Sequence, residues 1–230
     1  MAAKSSRAPA RTASTTIRRT SSNTSMSSAS ERAPSARVPW NHNLQFHRWL
    51  LDRMPVPCER ALDVGCGEGP LTPKLASRAA HVVGIDVSPE VIAIARHDAA
   101  RDNITYVAGD LLTCSLPLQS FDFIAAVAVI HHMPFDAAMT RFAALLRSGG
   151  VLAVVGLARN RSAVDSAFNA MSVPVSRLAR LRRGWWDTAA KEIDPDMTFA
   201  EIRNAARSVL PGVEARRRLY FRYTLLWRKP

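Results

Sequence analysis

Ala61-Leu62-Asp63-Val64-Gly65-Cys66-Gly67-Glu68-Gly69 is the stretch on which the architecture turns. A short apolar run closes on an acid and then meets three glycines at alternate positions. The run is too short for a helix and suits a buried strand. Glycines let the backbone turn sharply and let a ligand approach with no Cβ in the way. A helix opening after them aims free N–H groups at the same spot, which favours a polar or negative ligand group such as a carboxylate. The dinucleotide-binding fingerprint places its third glycine three residues after the second. Here Gly69 stands two after Gly67, a spacing that leans away from a nicotinamide cofactor.

Outward from this loop the chain alternates strand and helix patterns. Folded sequence begins near Trp40, and Asn41 is placed to cap a helix through Leu44–Leu51 that Pro55 and Pro57 end. Strand patterns cover Ala61–Val64, His81–Asp86, Ile104–Val107, Phe121–Val127 and Val151–Leu157. Helical patterns cover Gly69 to Ala80, a stretch opened by Ser88-Pro89-Glu90 and running to about Arg101, and Asp136 to Leu146. Ser88 is a cap, Pro89 fits the first helical position and Glu90 favours the first turn. Such alternation through short loops implies a parallel sheet covered on both faces. Residues 160–211 read as helices and loops. Glu214–Leu219 and Phe221–Trp227 then lie close enough to form an antiparallel hairpin completing the sheet.

Two more acids echo Asp63. Gly84-Ile85-Asp86 ends the second strand about twenty residues past the loop, where an acid can take two adjacent ribose hydroxyls. Ala108-Gly109-Asp110 follows the third strand. Each acid alone reads as a solvated helix cap. Three at equivalent strand ends beside the glycines point to a nucleotide-type ligand.

At these stretches the chain resembles the class I S-adenosylmethionine (AdoMet)-dependent methyltransferases, in particular the small-molecule group with ubiquinone- and menaquinone-type methylases. The matching segments are LDVGCGEG (62–69), VVGIDVSPEVIAIAR (82–96), ITYVAGDLL (104–112), FDFIAAVAVIHHM (121–133) and LLRSGGVLAVVG (145–156). The resemblance implies a Rossmann-like, doubly wound α/β fold. Its seven-stranded sheet would be mostly parallel, with the last strand antiparallel and helices on both faces. It implies that Gly65, Gly67 and Gly69, with Cys66 between them, cradle the methionine moiety of AdoMet and that Asp63 orients it. Asp86 would hold the ribose hydroxyls with Val87 beside it. Asp110 would take the adenine amino group, with Leu111 beside the ring and Val127 at the end of the fourth strand.

The donor sulfonium is already activated, so aligning nucleophile, methyl and sulfur can supply much of the catalysis. A hydroxyl or amine acceptor can need a base. His131 and His132, after the fourth strand, are the catalytic candidates, since imidazole titrates near neutrality. The plainer reading is loop histidines that fix backbone. Asn41, His42 and His47 in the first helix can reach substrate or serve as surface and core residues. Ala128-Val129-Ile130-His131 differs from the Asn/Asp-Pro-Pro-aromatic signature of methylases acting on base amines. No metal is expected: nothing resembles the clustered acids of a magnesium-dependent catechol enzyme, and Cys58, Cys66 and Cys114 lack zinc spacing. Unpaired cysteines also fit a reducing, cytoplasmic setting.

The net charge of +12 is uneven. Residues 1–37 carry seven basic residues against one acid, 38–158 nine against eleven, and 159–230 fifteen against seven. The motif-bearing segment is therefore slightly acidic. Residues 1–38 are rich in Ser, Thr, Ala and Arg and too poor in large apolar side chains to offset the entropy of ordering, so they read as a disordered tail. An organelle transit peptide, or an over-extended start with Met26 as an internal alternative, fits that composition as well. Residues 39–230 read as the methyltransferase domain, with 160–211 as an insertion or lid. Within it Ser176–Trp186 (SRLARLRRGWW) forms a basic amphipathic segment. It reads first as a lid or substrate wall, then as a solvated helix, then as a contact for an anionic membrane or RNA. Arg216-Arg217-Arg218 reads as a solvated edge.

The partner expected from all this is a small-molecule methyl acceptor, reached at O, N or C, and no DNA. An RNA methyltransferase or RNA-binding protein is one rival, drawing on the Arg-rich ends. A non-catalytic AdoMet-binding protein is another, and a nicotinamide oxidoreductase is a distant third. The sequence leaves the oligomeric state open.

Overall fold

The structure is a computed structural model, and it describes residues 43–159, 195–219 and 222–230. One seven-stranded sheet runs through it in the order β3-β2-β1-β4-β5-β7-β6. The strands are β1 (Arg60–Val64), β2 (His81–Asp86), β3 (Ile104–Ala108), β4 (Phe121–Val127), β5 (Leu146–Leu157), β6 (Glu214–Arg218) and β7 (Arg222–Arg228). β1 through β5 pair in parallel, and β7 runs antiparallel to both β5 and β6. The carboxyl ends of β1 to β5 therefore share one edge, where an open α/β sheet binds its ligands.

Alternating side chains cover both faces. Ile124 and Ala126 of β4 pack with Leu62, Leu152, Leu225 and the helix α4 (Phe135–Leu145). Phe123 and Ala125 pack on the other face with α1 (His47–Leu51) and α2 (Thr72–Ala76). In α4 the buried stripe Phe135, Ala138, Met139, Phe142 and Leu145 follows helical periodicity. Each large side chain fully buried there contributes on the order of 1.5–3 kcal/mol.

Local chemistry sets the ends. In α3 (Pro89–Asp98) the Ser88 Oγ accepts the Val91 N–H at 3.2 Å, with Pro89 at the first helical position. In α5 (Phe199–Val209) Thr198 and Glu201 form a reciprocal capping box. Asp122 interrupts an apolar strand for a reason of its own. Its buried carboxylate accepts the N–H groups of Glu59 and Arg60, each at 2.8 Å, and pairs with Arg147. This ties the start of β1 to β4 at the edge opposite the glycine loop.

Several boundaries differ from the sequence reading. The helix expected over Gly69 to Ala80 is only Thr72–Ala76. Pro73 has no N–H to donate and its ring would clash with the carbonyl four residues back, so it fits only a first turn. α3 ends at Asp98, short of Arg101. The first helix begins as a 3-10 turn over Leu44–Phe46 and becomes α-helical at His47. β5 begins at Leu146, before the expected Gly149-Gly150 turn, with an irregularity in its pairing to β4. The proposed tail (1–38), Asn41, His42 and the basic segment 176–186 lie outside the described residues. So does most of 160–211, of which α5 is the described helix.

Candidate functional site

The glycine loop is held open by its neighbours. Gly65 and Cys66 donate N–H groups to the Ile85 carbonyl at 2.8 and 3.1 Å, so the loop leans on the end of β2. Gly65, Gly67 and Gly69 all have positive φ, at 66°, 55° and 85°. The three serve different ends. A Cβ on Gly65 would strike Val129, and one on Gly69 would meet Tyr106 and Ala99. A Cβ on Gly67 would stand in open space, with no atom within 4 Å. Gly65 and Gly69 are thus required by packing, while Gly67 keeps bare backbone facing open space in the cradle.

Asp86 closes this cradle. Its Oδ2 accepts the Gly67 N–H at 3.0 Å and its Oδ1 the Ser88 N–H at 3.1 Å. A carboxylate offers about four lone-pair sites, so about two remain for ligand hydroxyls. Asp63 lies beneath the loop, 2% exposed, with its Oδ2 accepting the Thr72 hydroxyl at 2.7 Å. Burial raises its pKa to about 7, the Thr72 hydrogen bond opposes that rise, and the Asp86 charge adds to it. Gly109 donates to the Asp86 carbonyl at 2.8 Å, which sets the following Asp110 beside the same edge. Asp110 is exposed, and its Oδ1 accepts the Leu112 N–H at 2.9 Å. Arg141 steadies that turn through the carbonyls of Leu111 and Cys114.

Four expected residues need finer placement. The Cys66 side chain is buried against Ile92, Ala95 and Tyr106, so only its backbone faces the loop, and burial pushes its thiol pKa up. Leu111 is buried in the core beneath Asp110. Val87 is 70% exposed at the end of β2, an apolar side chain left on the rim of the cradle. Val127 is half-buried at the tip of β4. This set fits an adenosyl ligand with a methionine part. There is a carboxylate with spare acceptors, a second acid at the neighbouring strand tip, a loop with bare backbone at Gly67, and an exposed apolar rim.

Beyond the tip of β4, Ala128 takes φ +53° while its N–H donates to the Val155 carbonyl at 2.7 Å. His131 and His132 follow in a 3-10 turn, their rings 4.0 Å apart. His131 lines a cavity of about 190 Å³ together with Ile130, Met133, Phe135, Leu157 and Tyr223. Its Nδ1 is buried without a hydrogen-bond partner. Burial, then the neighbouring His132 and Arg222, lowers its pKa to about 4, so the imidazole is neutral at physiological pH. His132 is exposed and does not line this cavity. Tyr223 is the wall the sequence reading missed. It is paired across strands with Gly156 and its ring lies where a Gly156 Cβ would be.

His47 is a core residue. It is 4% exposed, with Nδ1 3.0 Å from Lys74 Nζ, and burial followed by the Lys74 charge lowers its pKa to about 3. Arg216-Arg217-Arg218 is not simply a solvated edge. Arg216 pairs with Glu214, Arg217 stacks on Phe199 and Arg218 on Trp49. Among the described residues no helix is long and apolar enough to cross a membrane, and no cluster of His, Cys, Asp or Glu is placed to hold a metal.

Comparison with known proteins adds family evidence. A family model described as a methyltransferase domain matches residues 62–154. An uncharacterised methyltransferase of Mycobacterium tuberculosis is 32% identical over 194 residues, spanning 84% of this chain and 98% of the relative. A ubiquinone biosynthesis O-methyltransferase of Coxiella burnetii is 32% identical over 116 residues, 49% of this chain and 50% of that enzyme. Among solved structures, the N-methyltransferase NodS from Bradyrhizobium japonicum, in complex with S-adenosyl-L-homocysteine, matches with a TM-score of 0.55 at 20% identity. It covers 81% of this chain and 86% of that one, a likeness of fold.

Proposed function

We propose that this chain, which belongs to the class I AdoMet-dependent methyltransferases, passes the methyl group to a small-molecule acceptor. The observation that carries the acceptor class is the cavity of about 190 Å³ at the tips of β4 and β5. For scale, a dry cavity of about 150 Å³ holds benzene. A single ring with a substituent matches this volume.

The geometry supports the following residue roles within this reading. Asp86 takes the ribose hydroxyls on its spare lone pairs. The loop Gly65-Cys66-Gly67-Glu68-Gly69 lies along the methionine part, with bare backbone at Gly67. Asp63, locked by Thr72, faces the amino group. Asp110 takes the adenine amino group, with Leu111 as the floor beneath it, and Val87 and Val127 supply apolar contacts.

Bound AdoMet supplies an electrophilic methyl: an acceptor lone pair forms the new bond to carbon, the carbon–sulfur pair stays on sulfur, and the acceptor's proton leaves. We assign that proton to the imidazole of His131, which lines the cavity. Its lowered pKa keeps the ring neutral and able to accept a proton at neutral pH, and Tyr223 lines the same cavity. His132 supports the turn from the solvent side.

The test uses purified protein, radiolabelled AdoMet and a cell extract split into metabolites below 1 kDa, RNA and protein. Label should enter the metabolite fraction. Label confined to RNA or protein would overturn the small-molecule acceptor.

A further inference from the structure

A second cluster stands on the same edge of the sheet, on the face that α1 covers. Arg222 of β7 is registered against both Leu157 at the end of β5 and Arg218 at the end of β6. Arg218 thus lies about 10 Å, two strand spacings, across the sheet from the end of β5. Its guanidinium is 5.8 Å from the Trp49 ring centroid, and that of Arg53 is 4.3 Å from the same centroid. Arg53 Nη1 donates to the Trp49 carbonyl at 2.9 Å, and Arg218 Nε donates to Thr224 Oγ1 at 3.1 Å.

These bonds leave much of the cluster unspent. Among the described residues neither Arg53 nor Arg218 has a carboxylate within ion-pairing distance. Arg53 Nε and Trp49 Nε1 are both buried with no hydrogen-bond partner. Burial, then the charges of Arg216 and Arg53, pushes the Arg218 pKa down. Arg216 itself is turned to Glu214 at 3.0 Å.

The indole face attracts both guanidiniums, which explains why they stack. It does not account for two buried N–H donors without acceptors, in a class of groups that is nearly always paired. Nor does it offset the repulsion between the two cations. One ligand chemistry answers both. Guanidinium presents five N–H donors in a planar fork that matches carboxylate and phosphate oxygens, and the indole N–H adds another.

We propose that Trp49, Arg53 and Arg218 form a binding site for the oxyanion of a small molecule, a carboxylate or a phosphate. The site lies on the α1 face of the sheet, whereas Tyr223 and the cavity lie on the α4 face. It stands independently of the methyl-acceptor reading.

Calorimetry on the full chain, in chloride buffer, with inorganic phosphate and with benzoate tests the site. At least one anion should bind the wild type. Arg53→Gln and Arg218→Gln should each weaken that binding at least tenfold, and Trp49→Phe, which keeps a ring but removes the N–H, several-fold. Arg207→Gln, exposed on α5, should leave it unchanged. Phosphate binding alone assigns a phosphoryl ligand, and benzoate binding alone a carboxylate. Thermal melts without ligand identify any variant that fails to fold, and the remaining two then carry the comparison. Absence of binding by both anions, or binding that survives both arginine substitutions, overturns the site. A 20-nucleotide RNA that binds more tightly than either anion, and loses that binding in Arg53→Gln, would overturn the small-molecule assignment in favour of nucleic-acid phosphate.

Discussion

Val129 occupies the space that a Cβ on Gly65 would need, its Cγ2 standing 2.5 Å from that position. Val129, two residues past β4, therefore dictates the residue after β1, across 64 positions of sequence. Gly65→Ala should destabilise the fold by about 2–4 kcal/mol, combining overpacking with left-handed backbone strain. Val129→Ala in the same chain should recover the packing share and leave the φ share, as denaturant unfolding would measure. Gly67→Ala differs because its Cβ would point into the cradle. It should cost only the strain in stability yet weaken AdoMet binding at least tenfold by calorimetry.

Asp63 predicts a pH dependence of cofactor binding. Its pKa is raised to about 7, chiefly by burial. The carboxylate, proposed above to face the ligand's ammonium, is thus mostly protonated at pH 6 and mostly ionised at pH 8. AdoMet affinity should rise over that interval and then level off, with proton release visible as a buffer-dependent enthalpy. Asp63→Asn should bind weakly at every pH with the slope gone. The linked effect on the apo fold has the opposite sense. A carboxyl whose folded pKa exceeds its unfolded value contributes stability at low pH, and that contribution is lost as pH rises from about 4 through about 7.

His47 sets an acid limit. Its folded pKa of about 3 lies below the unfolded 6.5, so its contribution is present above pH 6.5 and is lost as pH falls toward 3. One such group gives a slope of at most about 1.4 kcal/mol per pH unit. His131, depressed to about 4, acts in the same direction down to that pH. Chemical denaturation between pH 7 and pH 4 should show stability falling, with a shallower slope in His47→Gln.

Tyr223 and Gly156 should govern the acceptor without touching the donor. Gly156→Ala places a methyl where the Tyr223 ring lies and forces that wall into the cavity. The KM for the acceptor should rise about tenfold or more, the scale of one or two kcal/mol of lost binding, while the AdoMet Kd is unchanged. His131→Asn should instead lower kcat with a smaller change in KM. A loss of AdoMet binding in either variant would remove the separation between the two pockets.

What sequence could show depended on how far apart the partners were. β4 and the stripe of α4 were legible because burial there repeats every two or every three to four residues. The tips bearing Asp63, Asp86 and Asp110 are legible because each acid lies within two residues of the end of its own strand. Thr72 holding Asp63, Val129 blocking Gly65 and Arg222 donating to Asn43 across 179 positions were not, since nothing local marks those pairs. Pro73 stands inside the helical pattern over Gly69 to Ala80, and α2 is far shorter than that pattern. The role of Asp122 has no local signal, because its two backbone donors belong to a segment about sixty residues earlier.

Three consecutive arginines on β6 also bear on how these molecules behave in a crowd. β6 is the outermost strand, and among the described residues no further strand pairs with its outer side. An unpaired strand invites a second molecule to add its own, and positive side chains along it discourage that docking. Exchanging the exposed Arg216 for a neutral residue would thin that charge without disturbing the contacts of Arg217 and Arg218, and would turn a well-behaved solution into one that slowly clumps.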